Sequence, residues 1–360
     1  MLVNKLTLKN FRNISSCIFE PGEGINVIYG KNAQGKTNLI EAIWLFCGQK
    51  SFRNTKDINL IKIGTEDLKI SLDFFSQGRE QNADILINSK KSAFLNEIEL
   101  PSVTKLGESF CAVVFDPSDM DLIKEGPKIR RDFLDDTISH MRPKYARVLN
   151  QYNRAVLQRN NLLKDIAYHP NMECLLDVFE GQIANSGAYL IAQRRMFLDG
   201  LLKYAPDIYL GISGKSEKFE IKYLCTANDG DEEALKIALK NAREEDIENK
   251  TTSVGPHRDD IEFFVNDLPL KAFGSQGQRR SAILAIKLSQ AELLKKFCGE
   301  QPVAILDDVM SELDNDRQKF ILNHIKGWQV FITCCDPQTV QFLEKGNIFK
   351  MEKGVLIKEK

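Results

Sequence analysis

A glycine-rich loop near residue 30 has the residues needed to hold phosphate groups. The run Gly30-Lys31-Asn32-Ala33-Gln34-Gly35-Lys36-Thr37 fits the pattern G-x-x-x-x-G-K-[ST]. Gly30 and Gly35 permit backbone angles that a Cβ would penalise, so backbone N–H groups can surround an anion. We expect Lys36 to reach the β- and γ-phosphates of ATP and Thr37 to ligate Mg²⁺. The predicted ATP-binding residues of this loop are Gly30, Lys31, Asn32, Ala33, Gln34, Gly35, Lys36, Thr37 and Asn38.

Two acids follow an apolar strand later in the chain. Residues 303–306 are Val-Ala-Ile-Leu, and Asp307 and Asp308 come next. A phosphate-binding loop of this kind needs a second metal-binding carboxylate at the end of a neighbouring strand. We expect Asp307 to hold Mg²⁺ with Thr37, and Asp308 to orient and deprotonate the attacking water. The alternative is a strand that ends in two solvated acids. Lys36, Asp307 and Asp308 are therefore candidate catalytic residues.

The elements around these residues have the required order. Residues 25–29 predict a short buried strand before the loop, and residues 38–46 predict a helix after it. Alternating or apolar runs predict further strands at 2–8, 16–20, 68–75, 84–87, 111–115, 219–224, 261–265, 303–306, 329–333, 347–351 and 355–358. Asp231 to Asn249 predicts one acidic helix with a solvated face, and residues 279–297 predict a long helix.

The middle of the chain has a different pattern. From Gly126-Pro127 onward, apolar residues recur at helical spacing, with a helix restarting at Pro143 and a second long helix ending at Ala205-Pro206. The sequence predicts two long helices packed on each other, with their aromatic residues in the core. We expect three parts: 1–125 with the phosphate-binding loop, an inserted helical subdomain at 126–210, and 211–360 with the acidic strand end.

Composition limits the possible classes. The chain has 360 residues, of which 43% are hydrophobic and 28% are charged, and its net charge is −1. These values predict a soluble globular chain with no membrane span. The eight cysteines include no C-x-x-C pair and the four histidines lack metal-ligand spacing, so we expect reduced cytosolic thiols and no structural zinc. Nucleic-acid binding would require a local basic face, because the overall charge does not supply one.

A second loop narrows the class of ATPase. Ser275-Gln276-Gly277-Gln278 opens a helix and resembles the signature loop of ABC-type ATPases, which meets the γ-phosphate on a second subunit. Ser311 to Asp314 resembles the D-loop of that class, and Thr333 stands where the class has its switch residue. The resemblance implies further nucleotide contacts at Ser275, Gln276, Gly277, Gln278 and Asp314, and adds Thr333 to the candidate catalytic residues.

Several blocks resemble the RecF family of bacterial recombination proteins over nearly the whole chain. They are Leu8-Lys9-Asn10-Phe11-Arg12-Asn13, the loop at 30–38, Val114 to Asp119, Gly126 to Asp135, Gly255-Pro256-His257-Arg258-Asp259-Asp260 and Gly274 to Gln278. The sequence departs from the family pattern at Ser51 to Lys56 and within 114–119. The resemblance implies an α/β fold: an ABC-type, SMC head-like P-loop ATPase domain with an inserted α-helical subdomain (lobe II).

The same resemblance implies a function. The chain would be a cytoplasmic, ATP-dependent homodimer that binds single-stranded, double-stranded and gapped DNA. It would act at single-strand gaps and single-strand/double-strand junctions in repair, replication and recombination, helping RecA to load with RecO and RecR. Its ATP hydrolysis would be slow and DNA-stimulated and would serve release, with no nuclease or transferase activity. Arg12 and Asn13 would approach the nucleotide, as in SMC-like heads.

Basic residues around the inserted helices are candidates for DNA contact. No base-reading motif is present, so we expect binding through backbone charge and shape. The alternative is a solvated helix face. His257 and Arg258 likewise have two open interpretations, a buried polar cluster or a nucleotide contact. A transporter-type ATPase subunit is the competing function. The candidate DNA-binding residues are Lys128, Arg130, Arg131, Arg142, Lys144, Arg147, Arg154 and Arg159.

Overall fold

The computed structural model describes residues 1–53, 55–166, 168–214, 217–227, 229–336 and 346–359. These residues divide into two compact units. The first lies within Met1–Asp119, Gly211–Lys215 and Ile283–Lys360. The second lies within Met120–Leu210 and Ser216–Ala282. Asn54, which belongs to the segment from Ser51 to Lys56 that departs from the family pattern, is outside the described residues.

Strands and helices are numbered in chain order. The strands are β1 (Leu2–Phe11), β2 (Ile14–Phe19), β3 (Ile25–Tyr29), β4 (Leu68–Ser76), β5 (Arg79–Ile87), β6 (Lys91–Leu95), β7 (Ile98–Glu99), β8 (Ala112–Phe115), β9 (Phe219–Leu224), β10 (Asp260–Val265), β11 (Leu268–Pro269), β12 (Val303–Asp307), β13 (Val330–Cys334), β14 (Asn347–Glu352) and β15 (Val355–Lys358). The helices are α1 (Lys36–Leu45), α2 (Asp121–Lys124), α3 (Pro127–Met141), α4 (Pro143–Ile166), α5 (Leu176–Leu202), α6 (Ala205–Ser213), α7 (Glu232–Asn241), α8 (Arg243–Asn249), α9 (Leu270–Phe273), α10 (Gln276–Cys298) and α11 (Asn315–His324).

The first unit contains two six-stranded sheets. The mainly parallel sheet has the order β15-β14-β3-β13-β12-β8, and the antiparallel sheet has the order β2-β1-β4-β5-β6-β7. Strands β8, β12 and β13 are buried along their whole length, as their apolar composition requires when both faces of a sheet are covered. Helix α1 contacts β1 of one sheet and β12 and β13 of the other. One apolar core therefore includes side chains from both sheets and from α1.

The second unit is built on the pair of long helices that the sequence predicts. Helices α4 and α5 pack along each other, α7 packs on α5, and α3 contacts both α4 and β10. A small antiparallel sheet of order β11-β10-β9 completes the unit. The unit thus contains the predicted insertion at 126–210 and also residues 216–282, because β9, β10 and α7 bury their apolar faces against α3 and α5.

Most predicted strands and helices are present, with one clear difference. The single acidic helix predicted from Asp231 to Asn249 is wrong: Ala242 separates α7 from α8. Nor is this segment only a solvated face, because Leu235, Leu239 and the Asp246 carboxylate are fully buried. The prediction that the aromatic residues of the inserted helices belong to the core is confirmed for Tyr145 and Tyr152, which are at most 1% exposed.

Candidate functional site

The glycine-rich loop connects β3 to α1 with backbone angles that suit glycine. Gly30 has φ +153° and Gly35 has φ +111°. A Cβ on Gly30 would lie 2.3 Å from the Met351 carbonyl oxygen, so only glycine fits there. The Lys36 ammonium is buried and donates hydrogen bonds to the carbonyl oxygens of Gly30 (2.7 Å) and Lys31 (3.1 Å). The loop, its lysine and the first turn of α1 thus form one cradle, in which backbone N–H groups at a helix N-terminus can bind an anion.

Asp307 is joined to this cradle by hydrogen bonds. Its Oδ1 accepts from the Thr37 hydroxyl at 2.9 Å and from the Thr333 hydroxyl at 2.6 Å. The register explains the arrangement, because Asp307 pairs with Thr333 between the parallel strands β12 and β13, and Thr333 pairs with Ile28 on β3. Three neighbouring strands therefore bring the loop, the acid and Thr333 to the same edge of the sheet.

Asp307 and Thr37 fit a magnesium ion. Adjacent oxygen ligands of an octahedral Mg²⁺ lie about 2.9 Å apart when each is about 2.0–2.1 Å from the metal. The separation of Thr37 Oγ1 and Asp307 Oδ1 is 2.9 Å. Burial raises the pKa of Asp307, while the hydrogen bonds from Thr333 and Thr37 lower it and the Asp116 and Asp308 carboxylates raise it further. A divalent cation would offset the cost of a buried carboxylate beside other acids.

Asp308 has a different environment from its neighbour. It is half-buried and has φ +53°, the left-handed region that is uncommon for a residue with a Cβ. Its backbone N–H donates to the Thr333 hydroxyl at 3.0 Å, and the Ser311 hydroxyl donates to its carbonyl oxygen at 2.8 Å. These contacts hold the turn after β12 so that Asp308 lines the same cavity as the glycine-rich loop.

The cavity has a volume of about 650 Å³ and lies entirely within the first unit. Its lining includes Arg12, Asn13, Asp308 and Thr333, together with loop residues from Asn32 to Asn38. It also includes residues that the sequence analysis missed, namely Arg53, Asn59, Ile61, Lys62 and Ile63. The signal for this segment was weak: an apolar Leu60-Ile61 pair in a polar stretch. That pair bridges to the end of β1, where Arg12 N donates to Leu60 O at 2.8 Å.

Arg12 is held by an acid that the sequence analysis did not single out. Its guanidinium donates to both carboxylate oxygens of Glu41, at 3.0 and 2.7 Å, and to the Thr55 hydroxyl at 2.8 Å. Glu41 is fully buried on α1, so it requires a charged partner of this kind. The sequence signal for this partner of Arg12 was a carboxylate within the apolar face of the helix predicted at 38–46. Arg12 lines the cavity in a fixed orientation, and its contact with nucleotide stays a prediction.

The signature-like segment belongs to the second unit and caps α10. Ser275 Oγ accepts from Gln278 N at 3.2 Å, and Gln278 Oε1 accepts from Ser275 N at 2.8 Å. This reciprocal pair is a capping box, which the S-x-x-Q spacing could have predicted. Asp314 similarly caps α11 by accepting from Arg317 N at 3.0 Å. Both segments therefore have a structural role, and their contacts with ATP stay predictions.

The prediction of DNA binding is wrong for Arg159 and Arg130. Arg159 is fully buried and pairs with Asp246 at 2.6 Å and Glu180 at 2.9 Å. Arg130 is 5% exposed and pairs with Asp260 at 2.6 Å. Neither guanidinium presents a surface to a phosphate, because each balances carboxylates inside the second unit.

The remaining candidate DNA-binding residues differ in the contacts that their side chains make with other groups of the chain. Arg131 is half-buried and donates to Asp259 O at 2.9 Å, whereas Lys128 is exposed and pairs with Asp132. Arg142 donates to Gln193, and Lys144 lies 4.8 Å from the ring centre of Tyr189. Among the arginine candidates on α4, Arg147 and Arg154 are exposed and have no carboxylate partner in the part of the chain that the structure describes.

His257 lies in a polar cluster of the second unit. Tyr152 OH and His257 Nδ1 are 2.5 Å apart, and His257 Nε2 lies 3.0 Å from Thr252 O. Since the carbonyl can only accept, Nε2 carries the proton and Nδ1 accepts from the Tyr152 hydroxyl. Burial lowers the pKa of His257 to about 4, which keeps this neutral form. Gly255 completes the cluster, because a Cβ there would lie 2.4 Å from the Tyr152 oxygen. The structure thus favours the polar-cluster interpretation.

Comparison with known proteins gives a family match along nearly the entire chain. The model of the RecF/RecN/SMC N terminal domain matches residues 2–356. The DNA replication and repair protein RecF of Clostridioides difficile (strain 630) is 37% identical, covering 99% of this chain and 98% of the relative. The protein of the same name from Acetivibrio thermocellus is 39% identical, covering 94% of each.

Solved structures agree with the sequence matches. The recombination mediator protein RecF-ATPrS in the RecFOR pathway is 36% identical, with a TM-score of 0.91, and the match covers 99% of this chain and 98% of that one. A Smc head domain from Pyrococcus furiosus, at 16% identity and a TM-score of 0.57, shares the fold; the match covers 100% of this chain and 96% of that one. Within the described parts of the chain, no helix is both long and apolar enough to cross a membrane.

Proposed function

The chain belongs to the RecF family of DNA replication and repair proteins, and from that premise we propose that ATP and Mg²⁺ drive it to dimerise on gapped DNA. Its fold is that of an ABC-type, SMC head-like ATPase. The competing transporter-type function is not supported, because the full-length relatives are DNA replication and repair proteins.

The observation that carries the proposal is that Lys36, Thr37, Asp307 and Thr333 meet at one edge of the mainly parallel sheet. The buried Asp307 carboxylate accepts hydrogen bonds from the Thr37 hydroxyl at 2.9 Å and from the Thr333 hydroxyl at 2.6 Å. Lys36 donates to the Gly30 carbonyl oxygen of the phosphate cradle at 2.7 Å. Mg²⁺ bound by Thr37 and Asp307 would neutralise charge on the β- and γ-phosphates. Lys36 would exchange its two carbonyl contacts for phosphate oxygens, and Asp308 would orient a water for in-line attack.

A second copy of the chain would complete the site. In this proposal Ser275 and Gly277 of that copy, with Gln276, Gln278 and Asp314 nearby in sequence, contact the γ-phosphate, so ATP becomes part of the interface. The capping box at Ser275 places the positive end of the α10 helix dipole at this segment. Hydrolysis removes the bridging phosphate and opens the dimer. Because Asp is one methylene shorter than Glu, we expect Asp308 to be a slow catalyst.

DNA contact is proposed for the exposed basic side chains of α4. Residues 143–164 contain no Asp or Glu, and neither do residues 181–198 of α5. Arg147 and Arg154 are seven residues apart, about 10 Å along a helix axis, which is close to the rise of three base pairs. Arg154 also lines a polar cavity of about 390 Å³ with Gln151, Gln158 and Asn185. Amides and unpaired guanidinium groups suit phosphate and sugar oxygens.

The pathway and partners of the chain are proposed from those of its relatives. A solved relative is described as a recombination mediator in the RecFOR pathway. We propose that this chain likewise acts in the cytoplasm with RecO and RecR at single-strand gaps, and helps RecA to load there. Its ATPase would act as a switch that releases the dimer.

The first experiment measures solution mass by light scattering. The Asp308→Asn variant, which slows hydrolysis, should double its mass with ATP and Mg²⁺ and remain monomeric with ADP. In the same background Lys36→Ala should abolish the shift by losing nucleotide binding. Ser275→Arg should abolish it while ATP binding, measured by calorimetry, is retained. A mass that does not respond to ATP would refute the dimer mechanism.

The second experiment tests the DNA role on the dimer. Gapped and blunt duplexes with matched lengths are compared by fluorescence anisotropy, with ATP and with ADP. The proposal expects tighter binding to gapped DNA with ATP. Equal binding with either nucleotide would show that ATP does not control DNA binding.

A further inference from the structure

The Glu41 carboxylate lies on α1, one turn after Thr37, and is fully buried. Its Oε2 accepts from Arg12 Nε at 3.0 Å, and its Oε1 accepts from Arg12 Nη2 at 2.7 Å. The Ser51 hydroxyl, which is also buried, donates to the same Oε1. One carboxylate therefore joins the end of β1 and the segment after α1 to the helix whose first turn carries Lys36 and Thr37.

Arg12 is fixed through both its backbone and its side chain. Its φ is +55°, a conformation that costs free energy for a residue with a Cβ and persists where the surrounding contacts determine it. Arg12 N donates to Leu60 O at 2.8 Å. Besides Glu41, the guanidinium donates to the Thr55 hydroxyl at 2.8 Å and to Asn59 O at 3.3 Å. These contacts hold Arg12 in one position at the cavity that it lines.

The guanidinium of Arg12 keeps one donor that these contacts do not use. A guanidinium has five N–H donors. Within the described parts of the chain, Glu41 accepts from Nε and Nη2, Thr55 accepts from Nη2, and Asn59 accepts from Nη1. The second N–H of Nη1 is left. Since the side chain is 14% exposed and lines a cavity of about 650 Å³, this donor can bind an oxygen of a ligand there.

Stability alone does not account for this ion pair. Desolvation of two buried charges offsets most of their attraction, and apolar side chains of similar volume often hold two elements together as firmly. The neighbours of Glu41 on α1, namely Ile40, Ala42 and Ile43, are fully buried in the apolar core. What a carboxylate among them adds is a guanidinium of fixed orientation at the nucleotide cavity.

We propose that Glu41 is a positioning residue for ATP binding, which holds the Arg12 guanidinium so that its remaining N–H donates to a phosphate oxygen of the nucleotide. This inference rests on the proposed binding of ATP in the same cavity. Glu41 does not touch the nucleotide and acts through Arg12 alone. The orientation of Arg12 matters because a planar guanidinium presents its donors in a fixed fork.

A double-mutant cycle on ATP affinity tests the proposal. Calorimetry with ATP and Mg²⁺ is carried out in a background protein with Asp308→Asn and Ser275→Arg, in which neither hydrolysis nor dimerisation is expected to contribute. Arg12→Met should weaken ATP binding by at least about tenfold, because a hydrogen bond to a charged group is lost. Glu41→Gln keeps the size of the side chain but loses its charge, so it should loosen Arg12 and weaken binding by at least about threefold. The double variant should bind within about twofold of Arg12→Met, because Glu41 acts only through Arg12.

The outcomes separate this inference from the proposed function. A background protein that does not bind ATP would refute both. If the background protein binds ATP but either single variant leaves the affinity unchanged, the inference is overturned and the proposed ATP binding stands. A double variant that loses the product of the two single effects, about thirtyfold or more, would likewise overturn it, because Glu41 would then act independently of Arg12.

Two further variants separate positioning from stability. If Arg12→Met fails to fold, Arg12→Lys takes its place in the cycle with the same limit of about twofold, because lysine keeps the charge but lacks the planar fork. Arg12→Met/Glu41→Met removes both charges from the interior, so it should have a melting temperature close to that of the background protein and yet bind ATP at least about tenfold more weakly. Native-like affinity in this variant would overturn the proposal.

The matched control is Arg130→Met, which removes a guanidinium from another largely buried ion pair, with Asp260 in the second unit. It should lower the melting temperature but leave ATP affinity within about twofold of the background protein. A loss of ATP affinity as large as that of Glu41→Gln would attribute both losses to general destabilisation and overturn the positioning role.

Discussion

Asp307 is a buried carboxylate that is costly for folding and that we propose as a ligand of Mg²⁺. It is 5% exposed, and burial raises its pKa above the ordinary value of an aspartate. A carboxyl group with a raised folded-state pKa favours the fold when protonated, and this contribution is lost as pH rises through that pKa. At neutral pH the ionised group therefore destabilises the protein unless a cation compensates it.

Asp307→Asn should consequently raise the melting temperature of the nucleotide-free protein at pH 7. The difference in melting temperature between this variant and the native chain should become smaller as the pH falls toward 4. The same variant should lose the additional stabilisation that Mg²⁺ gives with ATP, because an amide is a weak ligand for a hard cation. Differential scanning calorimetry with and without ATP and Mg²⁺ measures both effects. Asp316→Asn, an exposed change on α11, controls for loss of charge. A less stable nucleotide-free variant would contradict this account.

His257 makes folding stability depend on pH in the direction opposite to Asp307. Its pKa in the folded chain is lowered to about 4 by burial, against about 6.5 in an unfolded chain. Its stabilisation is therefore complete above pH 6.5 and is lost as the pH falls toward 4, by up to about 3 kcal/mol. His257→Gln should show no such loss in urea unfolding followed across this range. The exposed His169→Gln is the matched control, and identical pH profiles for His257→Gln and the native chain would reject the assignment.

The helix α4 carries two arginines whose roles a sequence pattern cannot separate. Arg154 and Arg159 are five residues apart, yet one is exposed and the other fully buried. Arg159 meets Asp246 and Glu180, and Arg243 adds a second cation to Glu180 at 2.6 Å. The four residues form an ion network that joins α4, α5 and α8, with Arg159, Glu180 and Asp246 buried and Arg243 partly exposed.

Arg159→Ala should cost about 3–5 kcal/mol, since it leaves buried carboxylates without their partner. Arg154→Ala should change stability by less than about 0.5 kcal/mol and should weaken DNA binding instead. Urea unfolding followed by circular dichroism, with DNA anisotropy on the same samples, measures both variants. A stable Arg159→Ala protein with weakened DNA binding would restore the original prediction for that residue.

Local patterns predicted most elements of the fold and the central part of the candidate site. The strand, glycine loop and helix at 25–46 and the strand before Asp307 each have their signal within a few consecutive residues. Distant partners were not predictable in this way. Arg159 depends on Asp246, 87 positions away, and Arg12 depends on Glu41, 29 positions away. Segment 59–63 lines the cavity only because β1 holds it there.

The charge of the chain is nearly balanced, with 49 basic and 50 acidic residues. Any polyanion must therefore be held by a local surface, and the number of phosphates neutralised there determines how steeply affinity falls with salt. We propose that the carboxylate-free stretches of α4 and α5 form such a surface. Some exposed cations elsewhere have carboxylate partners: Lys69 lies 3.1 Å from Asp84 and Lys90 lies 3.6 Å from Glu99.

The double variant Arg147→Ala/Arg154→Ala should flatten the plot of log affinity against log salt by about 1.8, because each lost phosphate contact removes about 0.9 from the slope. The control Lys69→Ala/Lys90→Ala changes net charge by the same amount but removes cations that already have carboxylate partners, so its slope should match that of the native chain. Anisotropy titrations between about 50 and 200 mM salt distinguish the two variants. Equal slopes for both would mean that DNA responds to net charge alone, and the proposed surface on α4 would have to be abandoned even if the ATP-dependent dimer were confirmed.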